Sequence, residues 1–160
     1  MKHIWSPWRN TYIQNAKKKC KCIFCEALTH KNDPESLIVH SGKTAFVILN
    51  RFPYTSGHVM VVPYVHKPSF EELDLKTRSE LMELINTSTY VLRSLYCPEG
   101  FNIGANLGAA AGAGVIGHVH FHVVPRWVGD SNFMSTLGEV RVLPEELGVT
   151  LQRIKEVWKV

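Results

Sequence analysis

Three histidines, His118, His120 and His122, alternate with apolar residues in the stretch 118–126. This period of two predicts a β-strand with one buried face, and it puts the three imidazoles on the opposite face, about 6.6 Å apart. The preceding residues 104–117 are rich in glycine and alanine, so we expect a loop that can turn backbone N–H groups toward an anion. A row of imidazoles beside such a loop indicates chemistry on phosphate esters.

Two other interpretations of the histidine row stay open at this point. A solvent-facing strand that happens to be rich in histidine would also alternate, although Val119, Phe121 and Val123 then form an unusually apolar opposite face. A metal site with three histidine ligands is the sharper alternative, because two histidines one residue apart can bind one metal. Pro125 cannot donate to a sheet ladder and marks the end of the strand or an edge position.

Length and composition point to a globular chain of one domain. The 160 residues are 45% hydrophobic, enough for a sizeable core. No apolar run reaches the ~20 residues of a membrane span, and the first residues lack the apolar centre of a secretory signal. We therefore expect a cytoplasmic protein with reduced thiols and no membrane partner. The net charge of +4 suits an anionic small molecule and gives no reason to expect a nucleic-acid partner.

A Cys-x-x-Cys pair, Cys22 and Cys25, follows the lysine-rich residues 17–21. Such a pair is half of a zinc site or a redox pair, and a redox pair would follow a strand that the lysine-rich segment does not predict. Zinc is favoured, with two further ligands from elsewhere. Cys20 is a spare thiol, and Cys97 is expected to be a buried small hydrophobe.

The aromatic residues 4–13 near the start of the chain show no strong period. They form either an arm packed over the core or a contact to a nucleotide. In the second interpretation Trp5 or Trp8 stacks on a base and Arg9 holds a phosphate.

Periodicity predicts an α+β fold in which several strands precede and follow one long helix. Either Ser69 with Glu72, as a capping box, or Asp74 offers the start signal for this helix. A second helical stripe runs through Leu147 and Ile154 near the end of the chain. The predicted strands are 37–39, 44–49, 58–63, 101–106 and the histidine strand, and the predicted long helix is 75–95.

The histidine strand resembles the signature of the histidine triad family, in which histidine alternates with apolar residues three times. Three further pieces match in order: Asn50 with Arg51, the stretch 57–63 and the loop 106–117. The opening stretch 5–9 with its Cys-x-x-Cys, and Trp127 with residues 129–134, resemble the bacterial branch that cleaves diadenosine polyphosphates.

This resemblance implies the fold and the division of the chain. The fold would be an antiparallel sheet of about five strands with one long helix and a C-terminal helix. Residues 1–160 would form a single domain: an N-terminal arm at 1–43, a catalytic core at 44–127 and a C-terminal extension at 128–160. A homodimer would be usual for the family.

The resemblance also implies catalytic roles. His120 would attack the α-phosphorus of a dinucleoside polyphosphate and form a covalent nucleotidyl-histidine, with water as the second acceptor. His122 would donate to the phosphate oxygens, and His118 and His58 would complete the cluster. Phosphorolysis of the same substrate, hydrolysis of nucleoside phosphoramidates, and a zinc-stabilised nucleotide-binding module without turnover remain as alternatives. His58 could instead be a satisfied, half-buried histidine.

Five residues are implied as substrate contacts. Asn106 would hold phosphate or the bridging oxygen, and Asn50 would approach the ribose unless it is only a turn residue. Gly112, Gly114 and Trp127 complete this set. Gly114 departs from the family, which tends to carry glutamine or serine there, so the choice between water and phosphate as acceptor stays open.

The last implication of the resemblance is a zinc site. Related proteins pair the Cys-x-x-Cys with two histidines, which by position are His66 and His118. Together with Cys22 and Cys25 these would hold one structural zinc ion per chain in a tetrahedral shell. Because His118 cannot serve two metals, this site weakens the three-histidine alternative.

Overall fold

The computed structural model describes residues 22–31, 33, 36–130 and 145–158. The interpretations placed on Trp5, Trp8, Arg9 and Cys20 lie outside the described residues, and so does the stretch 131–134.

Five strands form one antiparallel sheet in the order β1-β2-β3-β5-β4. Both central pairings, β2 with β3 and β3 with β5, join mostly apolar strands that contain six valines and one isoleucine, residues that suit a pleated and buried surface. The expected five-stranded antiparallel sheet is confirmed. The strands are β1 (Ile38–Ser41), β2 (Ala45–Leu49), β3 (Val59–Pro63), β4 (Gly100–Gly104) and β5 (Phe121–Arg126); the described α-helices are α1 (Ile23–Thr29), α2 (Leu75–Tyr96) and α3 (Leu147–Val157).

Helix α2 begins at the predicted residue, after the second of the two proposed start signals, and ends one residue beyond the predicted end. The Asp74 side chain accepts a hydrogen bond from the Thr77 N–H at 2.7 Å, which satisfies one of the free donors of the first turn. Ser69 instead precedes a short 3-10 turn, Phe70–Glu72. Within the described residues, no helix combines the length and the apolar character that a membrane span needs.

Cys97 ends α2 in the left-handed conformation, with φ of 45°, and is exposed. The expectation that it is a buried hydrophobe was wrong. The helix ends here because Pro98 cannot continue it, and Cys97 lies beyond Leu92, the last buried residue of the helix.

The sheet buries a different set of side chains on each face. Helices α2 and α3 cover one face, where Val119 and Val123 join Leu92 and Ile154 in the larger core cluster. The alternation predicted for the histidine stretch is therefore confirmed on its apolar side. Helix α1 covers part of the other face, where a smaller cluster forms from Phe24, Ile38, Phe46, Ile48, Met60 and Val62.

The histidine stretch departs from the prediction in one respect, because β5 begins only at Phe121. The Val119 N–H donates to the Lys67 carbonyl at 2.7 Å, beyond the end of β3, so the chain reaches the sheet along the segment that leaves β3. Pro125 lies inside β5, where it is paired with Phe101 of β4 but lies past the last pair with β3. A proline is tolerated there because the ladder on one side has ended.

Two other strands, β1 and β4, also end at residues that differ from the predicted ones. β1 continues to Ser41, into the expected turn, because the Gly42 N–H bonds to the Ala45 carbonyl at 2.8 Å and closes a tighter turn. β4 ends at Gly104 and lies at the edge of the sheet, where three of its five residues are exposed.

Candidate active site and metal centre

A hydrogen-bond relay fixes the third histidine of the row. His58 directly precedes β3, is fully buried, and accepts the Tyr54 N–H on Nδ1 at 3.1 Å. Its Nε2 must then carry the proton, which it donates to Nδ1 of His122 at 3.0 Å. This leaves the Nε2–H of His122 as a hydrogen-bond donor.

A glycine makes the relay possible. Gly57, with φ of +78°, lies in the left-handed region, and a Cβ there would come within 2.9 Å of a Leu92 methyl. The turn before His58 can therefore approach α2 only without a side chain.

The second histidine has the opposite tautomer. Nδ1 of His120 lies 2.9 Å from the His118 carbonyl oxygen, which can only accept, so Nδ1 carries the proton. Nε2 of His120 then presents a lone pair. The ring centroids of His120 and His122 are 4.9 Å apart in an edge-to-face arrangement. The lone pair of His120, which can act as a nucleophile, therefore lies beside the hydrogen-bond donor of His122.

All three imidazoles of the row are held neutral. Burial lowers the pKa of His118 and of His120. Burial, and then repulsion from His120, lowers the pKa of His122 to about 4. His118 and His120 are 0% and 5% exposed, so the interpretation as a solvent-facing strand was wrong. Neutral imidazole is the form that can attack an electrophile near pH 7.

Four side chains from three parts of the chain converge on a cluster that could hold a metal. One ligand atom each from Cys22, Cys25, His66 and His118 lie within 4.8 Å of one another. Sγ of Cys22 is 3.2 Å from Nδ1 of His118, and Sγ of Cys25 is 3.4 Å from Nδ1 of His66. Two sulfurs and two nitrogens at these separations suit the edges of a tetrahedral zinc shell.

The surroundings of the cluster also fit a cation. Nε2 of His118 donates to the Pro63 carbonyl at 2.8 Å, which leaves the Nδ1 lone pair free to face the cysteines. Burial, followed by the adjacent Cys22, raises the pKa of the Cys25 thiol, and a divalent cation would remove that penalty. Because Nδ1 of His118 faces the cysteines, His118 is not available to a three-histidine site.

Sequence reasoning missed two aromatic rings that flank the histidines. Phe24 lies between the two cysteines and its ring centroid is 4.8 Å from that of His120. Tyr54 lies at the other end of the row. Its ring centroid is 4.7 Å from that of His58 and 6.1 Å from that of His122. The sequence did offer one signal for Phe24, which is its position as an apolar residue between two predicted metal ligands, Cys22 and Cys25.

The residues expected to contact substrate are partly engaged within the protein. Oδ1 of Asn50 accepts the Phe52 N–H at 2.9 Å, as in a turn, while its Nδ2 lies 3.4 Å from Nδ1 of His58. Nδ2 of Asn106 donates across the glycine-rich loop to the Gly112 carbonyl at 3.4 Å. Gly114 is exposed in the same loop.

Trp127 is half-buried against the end of α2. Its indole N–H donates to the Tyr96 carbonyl at 3.3 Å. Its expected contact with substrate stays a prediction.

The sheet and the buried histidine row define a class of protein. The sequence profile of the HIT domain matches residues 31–128, more than half of the chain, and the chain belongs to the histidine triad (HIT) family. It is 35% identical over 165 residues to an AP-4-A phosphorylase of Mycobacterium tuberculosis, covering 99% of this chain and 85% of that protein.

Solved structures share the fold. A hypothetical histidine triad nucleotide-binding protein of Sulfolobus tokodaii superposes with a TM-score of 0.70 at 26% identity, covering 86% of this chain and 92% of that one. A Zn-bound histidine triad family protein of Mycobacterium smegmatis gives a TM-score of 0.68 at 24% identity, covering 86% and 93%.

Proposed function

We propose that this protein cleaves dinucleoside polyphosphates at the α-phosphorus through a covalent nucleotidyl-histidine on His120. The observation that carries the proposal is the set of hydrogen-bond partners of the two adjacent rings, which assign a lone pair to Nε2 of His120 and an N–H to Nε2 of His122. The 35% identity to an AP-4-A phosphorylase across nearly the whole chain supports a dinucleotide as substrate.

In the first step Nε2 of His120 attacks the α-phosphorus. The new N–P bond replaces the bond to the bridging oxygen, whose electron pair leaves with the nucleoside polyphosphate. The Nε2–H of His122 donates to a phosphate oxygen as charge develops there. Backbone N–H groups of the glycine-rich loop, which the bond from Asn106 to the Gly112 carbonyl spans, would hold the neighbouring phosphates.

In the second step an acceptor attacks the same phosphorus and restores the imidazole. The sequence suggested water as acceptor with phosphorolysis as the alternative. The relative named as a phosphorylase favours inorganic phosphate, so we propose phosphorolysis and keep hydrolysis as the second candidate. Gly114 is exposed and adds no side chain to the loop.

Product analysis separates the two acceptors. Diadenosine tetraphosphate is incubated with the protein, with and without inorganic phosphate, and the nucleotides are separated by chromatography. Phosphorolysis gives ADP and ATP only when phosphate is present, whereas hydrolysis gives AMP and ATP whether or not it is present. Binding of the dinucleotide without either product would favour a module without turnover and would refute the enzyme.

We also propose one structural zinc ion per chain, held by Cys22, Cys25, His66 and His118. Bound there, the cation would cross-link α1 to the two segments that carry the histidines, and the four-ligand shell leaves no position for substrate. Elemental analysis of purified protein should give about one zinc per chain, and Cys25→Ser should lower it. A metal-free protein of unchanged stability would refute the site.

We propose that the protein is a homodimer whose contact surface includes a groove of about 330 Å³ between the edge strand β4 and helix α2. Met82 and Ile103 line this groove and are 61% and 49% exposed. Sedimentation should give a dimer that Met82→Glu weakens. Tyr90→Glu is the matched control, because Tyr90 is an equally exposed residue of α2 that does not line the groove. A monomeric wild-type protein would refute the dimer.

A further inference from the structure

The side chain between the two metal-ligating cysteines lies against the proposed nucleophile. Phe24 is 1% exposed, and its ring centroid is 4.8 Å from that of His120 and 5.4 Å from that of His118. Cys22 caps the start of α1 and Cys25 lies in its first turn, so Phe24 projects from the helical turn that the two sulfurs would anchor.

A second route links the same cluster to the nucleophile. Nδ1 of His118 faces the cysteines, while the carbonyl of His118 accepts the Nδ1–H of His120 at 2.9 Å. A displacement of His118 therefore moves the acceptor that selects the tautomer of His120. Phe24 on one side and the His118 carbonyl on another define where the ring of His120 can lie.

Helix α1 depends on tertiary contacts for its position. It has seven residues, its N-cap Cys22 makes no side-chain capping bond, and Phe24 is its one fully buried residue. Helices this short are not stable alone in water, so their position depends on tertiary anchors. Within the described residues, those anchors are the buried ring of Phe24, the partly buried Ala27 and Leu28 that pack on the same apolar cluster, and the approach of the cysteines to His66 and His118.

We infer that Phe24 is a positioning residue for His120, and that the metal cluster, by fixing α1 and His118, sets the alignment of the nucleophile as well as the stability of the fold. This inference rests on the function proposed above. The metal supplies only a cross-link; the ring of Phe24 and the His118 carbonyl orient the imidazole of His120 and exclude water from it.

The test compares zinc-loaded Phe24→Ala and Phe24→Leu with a matched control, Phe46→Leu. Phe46 is equally buried in the same apolar cluster, but its ring stacks on Tyr64 at 5.6 Å. Four quantities are measured in each: bound zinc, AMP affinity, the single-turnover rate of nucleotidyl-histidine formation, and the ring ¹⁵N shifts of His120.

Phe24→Ala should keep its zinc, alter the His120 ring shifts, and slow formation of the adduct by about 100-fold, the cost of a misplacement of about 1 Å. The His120 ring shifts and the adduct rate of Phe24→Leu should lie between those of Phe24→Ala and the wild type. This second variant keeps the test informative if Phe24→Ala fails to fold. Phe46→Leu should leave the shifts and the rate nearly unchanged. Removing zinc from the wild type with a chelator should alter the same His120 shifts.

Unchanged His120 shifts in both Phe24 variants, with the adduct formed at the wild-type rate, would overturn the inference. Loss of AMP affinity alone, with shifts and rate at saturation unchanged, would also overturn it and make Phe24 a nucleotide contact. If the wild type forms no adduct, the proposed function fails, while the shifts on chelation and in Phe24→Leu still test the coupling.

Discussion

Nε2 of His58 donates to Nδ1 of His122 at 3.0 Å, and this bond is what turns the N–H of His122 outward. A histidine outside the three-residue row thus selects the tautomer of one inside it. The same selection is made for His120 by a backbone carbonyl, so the two neighbouring rings present opposite chemistry from identical side chains.

Replacing His58 by Phe should lower kcat about 100-fold, the size of the loss when one donor to a developing oxyanion is removed. KM should change little, because His58 is buried behind His122 and the relay acts in the transition state. Steady-state kinetics measure both constants. His58→Gln, whose amide N–H can reach a similar position, is the control and should retain more activity; equal losses in the two variants would refute the relay.

His120→Ala should remove turnover and leave nucleotide binding and the fold in place. The side chain would supply the bond-forming nitrogen, and no other described histidine presents the same buried lone pair to the row. Mass spectrometry of quenched reactions should detect an adduct on the wild type and none on the variant. Turnover that survives the substitution would mean that the nucleophile is another group.

The free energy of unfolding should fall as the pH drops from about 6.5 to about 4, partly because of His122. Its folded pKa of about 4 lies below its usual 6.5, so in this window the unfolded state takes up the proton first. This loss of unfolding free energy is absent above about pH 6.5 and does not increase further below about pH 4. His120, His58 and the ring of Tyr54 are the groups that face it.

Denaturant unfolding of zinc-loaded wild type and His122→Asn at several pH values isolates this contribution. Across the window, wild type should lose stability relative to the variant by at most about 1.4 kcal/mol per pH unit. Parallel plots of unfolding free energy against pH for the two proteins would show that the pKa of His122 is not lowered in the folded protein.

Gly117→Ala should weaken zinc binding about ten-fold, the lower end of the usual loss when a support of a metal ligand is disturbed. A Cβ at Gly117 would lie 3.2 Å from Nε2 of His66, whose Nδ1 faces Cys25, so the ring would have to move. Competition with a zinc-binding dye measures the affinity. Gly100→Ala, with no atom within 4 Å of its Cβ, is the control, and equal affinities in both variants would contradict the expectation.

The sheet and its long helix could be predicted from local signals. The apolar alternation at Val119, Phe121 and Val123 indicated the buried face of a strand, and Asp74 indicated where α2 begins. The metal ligands His66 and His118 came only from the resemblance to a family, since no spacing in the sequence connects them to the cysteines.

What the sequence could not supply depends on contacts between distant residues. The start of β5 follows from the hydrogen bond between the Val119 N–H and the Lys67 carbonyl. The tautomers of His120 and His122 follow from their bonds to the His118 carbonyl and to His58. These contacts leave no local pattern in the sequence. The exposure of Cys97 was missed for a simpler reason: a small apolar residue at the end of a helix can point either way.

The wide separation of the metal ligands along the chain has a kinetic consequence. Cys22 is 96 residues from His118, and Cys25 is 41 from His66. The cluster can close only after β3 and the start of β5 have come together, so cation capture belongs to a late event in folding. Zinc should therefore slow unfolding strongly and leave the refolding rate almost unchanged, which stopped-flow measurements with and without the metal would reveal.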